Sequence, residues 1–373
     1  MSKIQIAKRL NNFQEYVFSK LEKQMSDNIL NFGQGNPDIL PYAPYIDKFI
    51  EFIKDKKAHL YPGFTVNKEF ETALIQWYKQ RFAVSLEDQE LYPLLGAKDG
   101  VSHLPLALLD EKDEVLVPNP GYPAFSDPAL MIGARPIYYD LLQKNDFKIS
   151  LKELKKKVTP KTKFIWVNFP SNPTGQVATI DELKQIVAFA KKNNLLIVYD
   201  NAYSEITFDG FIAPSILQIS GAKEIAVELG SFSKTFSFAG FRMGWIVGNR
   251  EIIAALAKVK SQMDSGLSTP LQRLGAFALT HFDRKWYQKM IKSYKSRRDI
   301  IAKYLNSLGL RFSLPKGALY IWAKIPQSAK NSEDYCMKLL EKKQILLTPG
   351  SFFGKNGQRF VRVSICVNID RLL

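Results

Sequence analysis

The chain has 373 residues, of which 46% are hydrophobic and 24% charged, and it carries a formal net charge of +16. This size and composition are typical of a soluble globular protein with more than one domain. No apolar run approaches the length needed to cross a bilayer, and three scattered histidines without a CxxC pattern give no metal site to expect. Two cysteines, Cys336 and Cys366, make no disulfide framework, and the N-terminus lacks a signal-peptide pattern, so we expect a cytoplasmic protein.

The positive charge is spread along the chain rather than concentrated in one block. Runs such as KELKKKVTPKTK (152–163) are typical of solvated helix faces, and the aromatic residues do not interleave with basic ones as a nucleic-acid groove requires. We therefore expect neither a nucleic acid nor a membrane as a partner. The charge is interpreted as a surface property with some attraction for anionic substrates.

From about residue 90 the chain alternates short apolar segments with helical ones. Seven segments are predicted as strands: ELYPLLG (90–96), DEVLVPN (113–119), ARPIYYDL (134–141), KFIWVNF (163–169), LLIVYDN (195–201), EIAVELG (224–230) and GFRMGWIVG (240–248). Helical segments intervene, and one of them begins with a capping box from Thr179 to Glu182. This alternation favours an α/β fold with a mostly parallel sheet and helices on both faces.

After about residue 250 the pattern changes to long helices followed by strands. Helical periodicity covers 250–264 and 282–309, and the strand-like segments ALYIWAKI (318–325) and RFVRVSIC (359–366) follow. We predict a large domain at 40–280 and a smaller α+β domain made of 1–39 and 281–373. The helix-like segment before LNFGQGNPD is assigned to the smaller domain.

Chemically useful residues follow the predicted strands, where ligands bind in open α/β sheets. They are Gly96, Ala97, Lys98, Tyr122, Asn172, Asp200, Tyr203, Ser231 and Lys234. Each alone has an ordinary structural explanation as a turn, a helix cap or a packing residue.

Lys234 is the most unusual of these residues, because it stands in the segment LGSFSKTFSFAGFRMGW (229–245), where the next charged residue is Arg242. A buried ammonium is costly unless it is paired, neutralised or used chemically. Either its stem is buried and its head reaches water, or it forms a Schiff base.

A Schiff-base lysine that acts on amino acids needs pyridoxal phosphate, and the other residues match the needs of that cofactor. Gly96 and Ala97 offer backbone N–H groups at a helix N-terminus for the phosphate. Three side chains can add contacts to the phosphate, namely those of Ser231, Lys98 and Arg242.

The cofactor ring has its own requirements. Asp200 supplies a carboxylate for the ring nitrogen, and Asn172 and Tyr203 can donate to the phenolic oxygen. Tyr122 offers an aromatic face for stacking. Asp200 and Tyr203 are thereby predicted to take part in catalysis together with Lys234.

Nearly the whole chain resembles the class I/II aminotransferases of fold type I, which depend on pyridoxal phosphate. The resemblance is carried, in the order of the family, by NFGQGNPD, YPGF, LGAKDGVSH, PNPGYPAF, NFPSNPTG, YDNAYSEI, SFSKTFSFAGFRMGW and FVRVSIC. It implies a large domain with a mostly parallel seven-stranded sheet, a smaller α+β domain, and a ping-pong transfer of an amino group between an amino acid and a 2-oxo acid.

The resemblance also implies roles for individual residues. Lys234 matches the Schiff-base lysine, Arg242 the phosphate arginine, and Arg362 the residue that clamps the substrate α-carboxylate. Tyr61 matches a tyrosine that reaches across a dimer interface to the partner's cofactor phosphate. A homodimer with shared active sites is therefore expected.

Substrate identity is less constrained by the sequence. The segments 76–109 and 259–272 resemble the LL-diaminopimelate aminotransferase branch, with N-succinyldiaminopimelate and aspartate aminotransferases as alternatives. Gly35 and Asn36 are the candidate substrate contacts, beside Asn172 and Arg362.

Two alternatives from other classes stay open. A pyridoxal-phosphate-dependent C–S lyase can use much the same residues. A ligand-sensing transcription factor would need an added DNA-binding domain, for which too few residues precede LNFGQGNPD. The family usually continues into a closing helix after the segment FVRVSIC, whereas this sequence stops at VNIDRLL.

Overall fold

The computed structural model describes residues 4, 6–12, 29–63, 65–369 and 372. Within these residues the strands are β1 (Leu30–Asn31), β2 (Leu91–Leu94), β3 (Glu114–Asn119), β4 (Arg135–Asp140), β5 (Thr162–Asn168), β6 (Leu196–Asp200), β7 (Ala226–Ser231), β8 (Gly244–Gly248), β9 (Tyr320–Lys324), β10 (Ile345–Leu346), β11 (Thr348–Pro349) and β12 (Phe360–Ser364).

The α-helices of the same residues are α1 (Ala43–Ile53), α2 (Lys68–Phe82), α3 (Ala97–Leu108), α4 (Asp127–Met131), α5 (Leu151–Lys155), α6 (Ile180–Lys192), α7 (Phe232–Thr235), α8 (Arg250–Met263), α9 (Thr269–Thr280), α10 (Arg284–Ser307) and α11 (Ser332–Lys343). Within the described part of the chain, none of the helices combines the length and apolar character of a membrane span.

The seven predicted strands form one sheet in the spatial order β2-β8-β7-β6-β5-β3-β4. Strands β7, β6, β5, β3 and β4 pair in parallel, and β8 runs antiparallel to both of its neighbours. The predicted α/β class and the mostly parallel seven-stranded sheet are therefore confirmed.

Strand β5 shows why these apolar segments become central strands. Phe164 and Trp166 pack into the hydrophobic cluster on the side of α3 and α8, whereas Ile165 and Val167 pack into the cluster on the side of α2 and α6. Because successive strand side chains point to opposite faces, a continuous apolar run is stable only where both faces of the sheet are covered.

The predicted capping box at the start of α6 is present. The Thr179 hydroxyl accepts the Glu182 N–H at 3.3 Å, and the Glu182 carboxylate accepts the Thr179 N–H at 2.8 Å. These two bonds satisfy donors that the first turn of a helix leaves without a partner inside the helix.

The C-terminal part of the chain builds a second sheet. Strands β11, β12 and β9 are antiparallel in that order, and α10 and α11 pack with them in a separate hydrophobic cluster. The short strand β1 pairs in parallel with β10, which ties the N-terminal segment to this unit. Most of the predicted helix-like segment before residue 29 lies outside the described residues, and the domain boundaries stay a prediction.

Candidate active site

A cavity of about 560 Å³ lies at the carboxyl ends of the parallel strands, next to the second sheet. The predicted site residues that line it are Gly35, Asn36, Ala97, Lys98, Tyr122, Asn172, Asp200, Tyr203, Ser231, Lys234, Arg242 and Arg362. Gly96 adjoins it, since a Cβ built on Gly96 would lie 2.6 Å from Arg242 Nη2. Tyr61 is outside the lining, and it is 84% exposed.

Asp200 is the last residue of β6 and puts a buried carboxylate into the cavity. Its Oδ1 accepts the Ala202 N–H at 3.1 Å, and no ion pair within 4.0 Å reaches it from the residues that the structure describes. Burial raises the pKa of Asp200 from 3.8 to about 6. A buried carboxylate of this kind is stabilised by a cation placed against it, and a protonated pyridine nitrogen is such a cation.

The start of α3 forms a cradle for an anion. Gly96 precedes the helix with a φ of +84°, a backbone conformation that favours glycine, and Ala97 and Lys98 form the first turn, where backbone N–H groups point out of the helix. The exposed Arg242 side chain lies against Gly96, and its Nη1 donates to the Ala239 carbonyl at 2.8 Å.

Ser231 faces the same cradle from the end of β7. Its Oγ accepts the Ser233 N–H at 3.2 Å, so the hydroxyl proton can be donated to another acceptor. N–H groups at a helix N-terminus, a hydroxyl and a guanidinium together suit a phosphate. The residues present therefore fit pyridoxal phosphate both at the ring nitrogen and at the phosphate.

Lys234 ends its side chain inside the cavity. The half-buried Nζ donates to the Gly35 carbonyl at 3.1 Å and lies 5.7 Å from the centre of the Tyr203 ring. No carboxylate among the described residues lies within 4.0 Å of Nζ. This amine is held by one neutral acceptor rather than by an ion pair.

Arg362 is a buried cation on β12, only 2% exposed. Its Nη1 donates to Asn172 Oδ1 at 3.0 Å, and its Nη2 donates to the Gly33 carbonyl at 2.9 Å. We call residues 33–36 the strap, because the carbonyl of Gly33 accepts from Arg362 and that of Gly35 accepts from Lys234. A guanidinium with two N–H groups directed at neutral acceptors can take a carboxylate with the same fork.

The sequence did not single out several residues that complete the cavity. Tyr320 lines it and lies 3.1 Å from Tyr203, hydroxyl to hydroxyl. Asn168 fixes the loop beneath it, because Nδ2 donates to the Asp200 carbonyl at 3.0 Å and Oδ1 accepts the Asn172 N–H at 2.9 Å. Asn168 is the last residue of β5 and the second-last of the predicted strand 163–169, so its position near a strand end was an available signal.

A second group of charges lies behind the anion cradle. Asp99 accepts the Leu95 N–H at 2.8 Å, and its other oxygen lies 2.6 Å from His103 Nδ1. The Lys260 ammonium, 1% exposed, contacts Asp99 and lies 2.7 Å from Asp264.

The ligand atoms of Asp99, His103 and Asp264 lie within 4.8 Å of one another, as metal ligands can. The Lys260 ammonium, however, already pairs with both carboxylates. Burial by itself would raise the pKa of Asp99, but hydrogen bonds from His103 and Lys260 outweigh burial and lower it. This cluster therefore holds the segment that leads into the cradle.

Comparisons with known proteins find similarity over nearly the whole chain. The family model "Aminotransferase class I and II" matches residues 27–372. LL-diaminopimelate aminotransferase of Halothermothrix orenii is 35% identical over 373 residues, covering 98% of this chain and 95% of that protein. A substrate-bound BacF structure from Bacillus subtilis has 31% identity and a TM-score of 0.93, covering 99% of this chain and 96% of that chain. N-succinyldiaminopimelate aminotransferase of Mycobacterium tuberculosis has 26% identity and a TM-score of 0.93, with coverages of 99% and 97%.

Proposed function

The chain belongs to the class I and II aminotransferases, and we propose that it catalyses amino-group transfer in the cavity between the seven-stranded and the three-stranded sheets. Enzymes of this family depend on pyridoxal phosphate, and so does this one. When bound, the cofactor supplies an electron sink for the electrons released at the substrate α-carbon. The placement of Lys234, Asp200 and Arg362 around one cavity is the observation that carries the proposal.

In the proposed site, residues at strand ends, in the loops that follow them and at the start of α3 hold the cofactor. Asp200 keeps a proton on the ring nitrogen, and Tyr122 stacks on the ring. Tyr203 and Asn172 donate to the ring oxygen. Asn172 suits this role because its Oδ1 accepts from Arg362, which leaves its Nδ2 as the donor. The cradle of Gly96, Ala97, Lys98, Ser231 and Arg242 takes the phosphate.

Arg362 is proposed to bind the substrate α-carboxylate. Its guanidinium already directs Nη1 and Nη2 at two neutral oxygens, those of Asn172 and Gly33. A carboxylate that arrives at this fork exchanges a neutral acceptor for a charged one, which strengthens the hydrogen bonds. The same exchange orients the α-carbon toward Lys234.

Lys234 is proposed to carry the cofactor and then to move the proton. With pyridoxal phosphate bound, the Nζ amine would take the proton from the substrate α-carbon and carry it within the cavity, while the cofactor would supply the electron sink. Because Nζ is held by the Gly35 carbonyl rather than by a carboxylate, it does not have to break an ion pair to do so.

The substrate is proposed to be LL-diaminopimelate, with 2-oxoglutarate as the amino acceptor. Support comes from the curated relatives, which carry the name LL-diaminopimelate aminotransferase at about 35% identity over nearly the whole chain. The net charge of +16 favours the approach of a dianion such as 2-oxoglutarate, the proposed acceptor. Side chains of the strap, Gln34 and Asn36, line the cavity and are candidate contacts for the substrate.

The functional unit is proposed to be a cytoplasmic homodimer with shared active sites. Tyr61 is 84% exposed and lies away from the cavity of its own chain, as a residue that serves a partner's cradle would. Both cysteines are free thiols, which suits a reducing compartment.

A screen of amino donors tests the proposal. The protein loaded with pyridoxal phosphate is mixed with LL-diaminopimelate, glutamate or aspartate without a keto acid, and loss of the visible absorption band is followed. We expect LL-diaminopimelate and glutamate to convert the cofactor, with aspartate slower. Rapid conversion by aspartate alone would favour an aspartate aminotransferase. Steady release of pyruvate, ammonia and homocysteine from added L-cystathionine, without a keto acid, would identify a C–S lyase instead.

A further inference from the structure

Tyr320 contacts two residues of the proposed site at once, Tyr203 and Arg362. It opens β9 and is 4% exposed, and its hydroxyl lies 3.1 Å from that of Tyr203. The face of its ring lies 4.2 Å from Arg362 Cζ, within the range of a cation–π contact. Both neighbours are residues to which the proposed function gives direct roles.

The strap also packs against Tyr320. A Cβ built on Gly35 would lie 2.0 Å from the Tyr320 hydroxyl, so the backbone passes directly against the side chain. The carbonyl of the same glycine accepts from Lys234. Tyr320 therefore packs against the strap at Gly35, the residue whose carbonyl accepts the hydrogen bond from Lys234.

Hydrogen-bond accounting assigns a direction to the bond between the two phenols. Burial raises the pKa of Tyr203 well above its ordinary value, so this phenol keeps its proton at neutral pH. A phenol has one proton to donate and lone pairs that accept. If Tyr203 gives its proton to the cofactor ring oxygen, the bond at 3.1 Å has Tyr320 as its donor.

We propose that Tyr320 is a positioning residue with two separable actions, in which its hydroxyl directs the Tyr203 proton toward the cofactor ring oxygen and its ring holds the Arg362 guanidinium for the substrate carboxylate. Both actions rest on the function proposed above. A donor behind Tyr203 polarises its O–H and strengthens its bond to the ring oxygen. A ring stacked on the guanidinium face leaves the N–H edges directed at the carboxylate.

Three variants separate the two actions. Tyr320→Phe removes the hydroxyl and keeps the ring, whereas Tyr320→Leu removes both. Tyr335→Phe is the matched control, because it deletes a hydroxyl that donates to the Leu308 carbonyl at 3.3 Å beside the same hydrophobic cluster and does not line the cavity.

Two measurements are made on each protein loaded with pyridoxal phosphate. The first is the pH midpoint of the visible absorption band. The second is the dissociation constant of maleate, a dicarboxylate without an amino group. For Tyr320→Phe we expect the midpoint to rise by about 0.5 pH unit while maleate affinity stays within about twofold. For Tyr320→Leu we expect the same rise together with an affinity loss of about five- to tenfold. Tyr335→Phe should match wild type in both.

Tyr203→Phe supplies the reference that separates the two levels of inference. If Tyr203→Phe raises the midpoint but Tyr320→Phe leaves it at the wild-type value, the hydroxyl action is overturned and the proposed role of Tyr203 stands. If Tyr203→Phe also leaves the midpoint unchanged, the proposed role of Tyr203 fails, and the hydroxyl action fails with it. Unchanged maleate affinity in Tyr320→Leu would overturn the ring action.

Discussion

Two lysines, Lys260 and Lys234, differ in their burial and in the partners of their ammonium groups. Lys260 on α8 is 1% exposed and contacts two carboxylates, those of Asp99 and Asp264. Lys234 on α7 is half-buried and has the neutral carbonyl of Gly35 at 3.1 Å. The fold supplies a carboxylate to one ammonium and withholds it from the other.

This difference favours a structural role for Lys260 and supports the chemical role proposed for Lys234. Burial of an ammonium is tolerated when carboxylates compensate it, and such a lysine is costly to remove. An amine held by a neutral carbonyl exchanges that contact more readily, and it can be used as a nucleophile and as a base. Each lysine can be tested by a substitution that should affect one property and spare the other.

Replacing Lys234 should abolish turnover and spare stability. In Lys234→Ala we expect turnover to fall by at least about 10⁴-fold, because the group that binds the cofactor and moves the proton is gone. The free energy of unfolding should change by less than about 1 kcal/mol, since no ion pair is lost. Steady-state rates and chemical denaturation give the two values. Turnover of Lys234→Ala at the wild-type rate would contradict the assignment.

Replacing Lys260 should have the opposite effect. Lys260→Met leaves two carboxylates without their cation, and we expect the free energy of unfolding to fall by about 3–5 kcal/mol. Lys258→Met, an exposed lysine on the same helix, is the control and should change it by less than about 0.5 kcal/mol. Denaturant titration measures both.

A second substitution sharpens the Lys260 test. Asp99→Asn introduced into Lys260→Met removes one of the stranded charges and should recover part of the lost stability. A Lys260→Met protein as stable as wild type would show that the ion pairs of Lys260 with Asp99 and Asp264 do not stabilise the fold.

Substitution of Arg362 tests the proposed role of a cation in the cavity by its effect on substrate binding. Arg362→Lys keeps the charge but loses the two-pronged fork, so we expect KM for both amino and keto acids to rise about 10- to 100-fold. Arg359→Lys is the matched control, because Arg359 lies three residues earlier in the same chain and donates to the Pro326 carbonyl at 2.7 Å outside the cavity. An equal rise in KM for both variants would remove Arg362 from substrate binding.

The pH dependence of cofactor binding is the smallest expected effect. The pKa of Asp200 is raised from 3.8 to about 6, so the carboxylate becomes protonated as the pH falls through that value. Because the ring nitrogen is paired by the ionised form, affinity should fall about tenfold from pH 7 to pH 5. In Asp200→Asn the pH dependence of cofactor affinity reports only the titration of the cofactor's own groups. The tenfold fall assigned to Asp200 should therefore be absent from it. Identical profiles for the two proteins would contradict the role of Asp200.

Much of this architecture could be predicted from the sequence for simple physical reasons. Apart from the edge strand β4, the strands of the seven-stranded sheet are mostly buried apolar segments that need cover on both faces. The residues that follow the parallel strands meet at one edge of the sheet. Asp200 and Ser231 could therefore be placed in the site from their position at the ends of β6 and β7.

What the sequence did not reveal depends on contacts between distant segments. Lys260 is one of many helical lysines, and only the packing of α8 on α3 brings it to Asp99, 161 residues away. Tyr320 stands at the start of an apolar strand, where a tyrosine is typical of packing. Its importance comes from facing Tyr203 and Arg362, which lie on other elements.

The strap has a consequence for how this protein can change over evolutionary time. Arg362 and Lys234 both bind strap oxygens that belong to the backbone, at Gly33 and Gly35, and a mutation cannot delete a carbonyl. Gln34 and Asn36, by contrast, line the cavity with their side chains, which substitution can change. Substitutions at positions 34 and 36 can therefore change which substrate fits the cavity. The backbone carbonyls that bind Arg362 and Lys234 are kept through such changes.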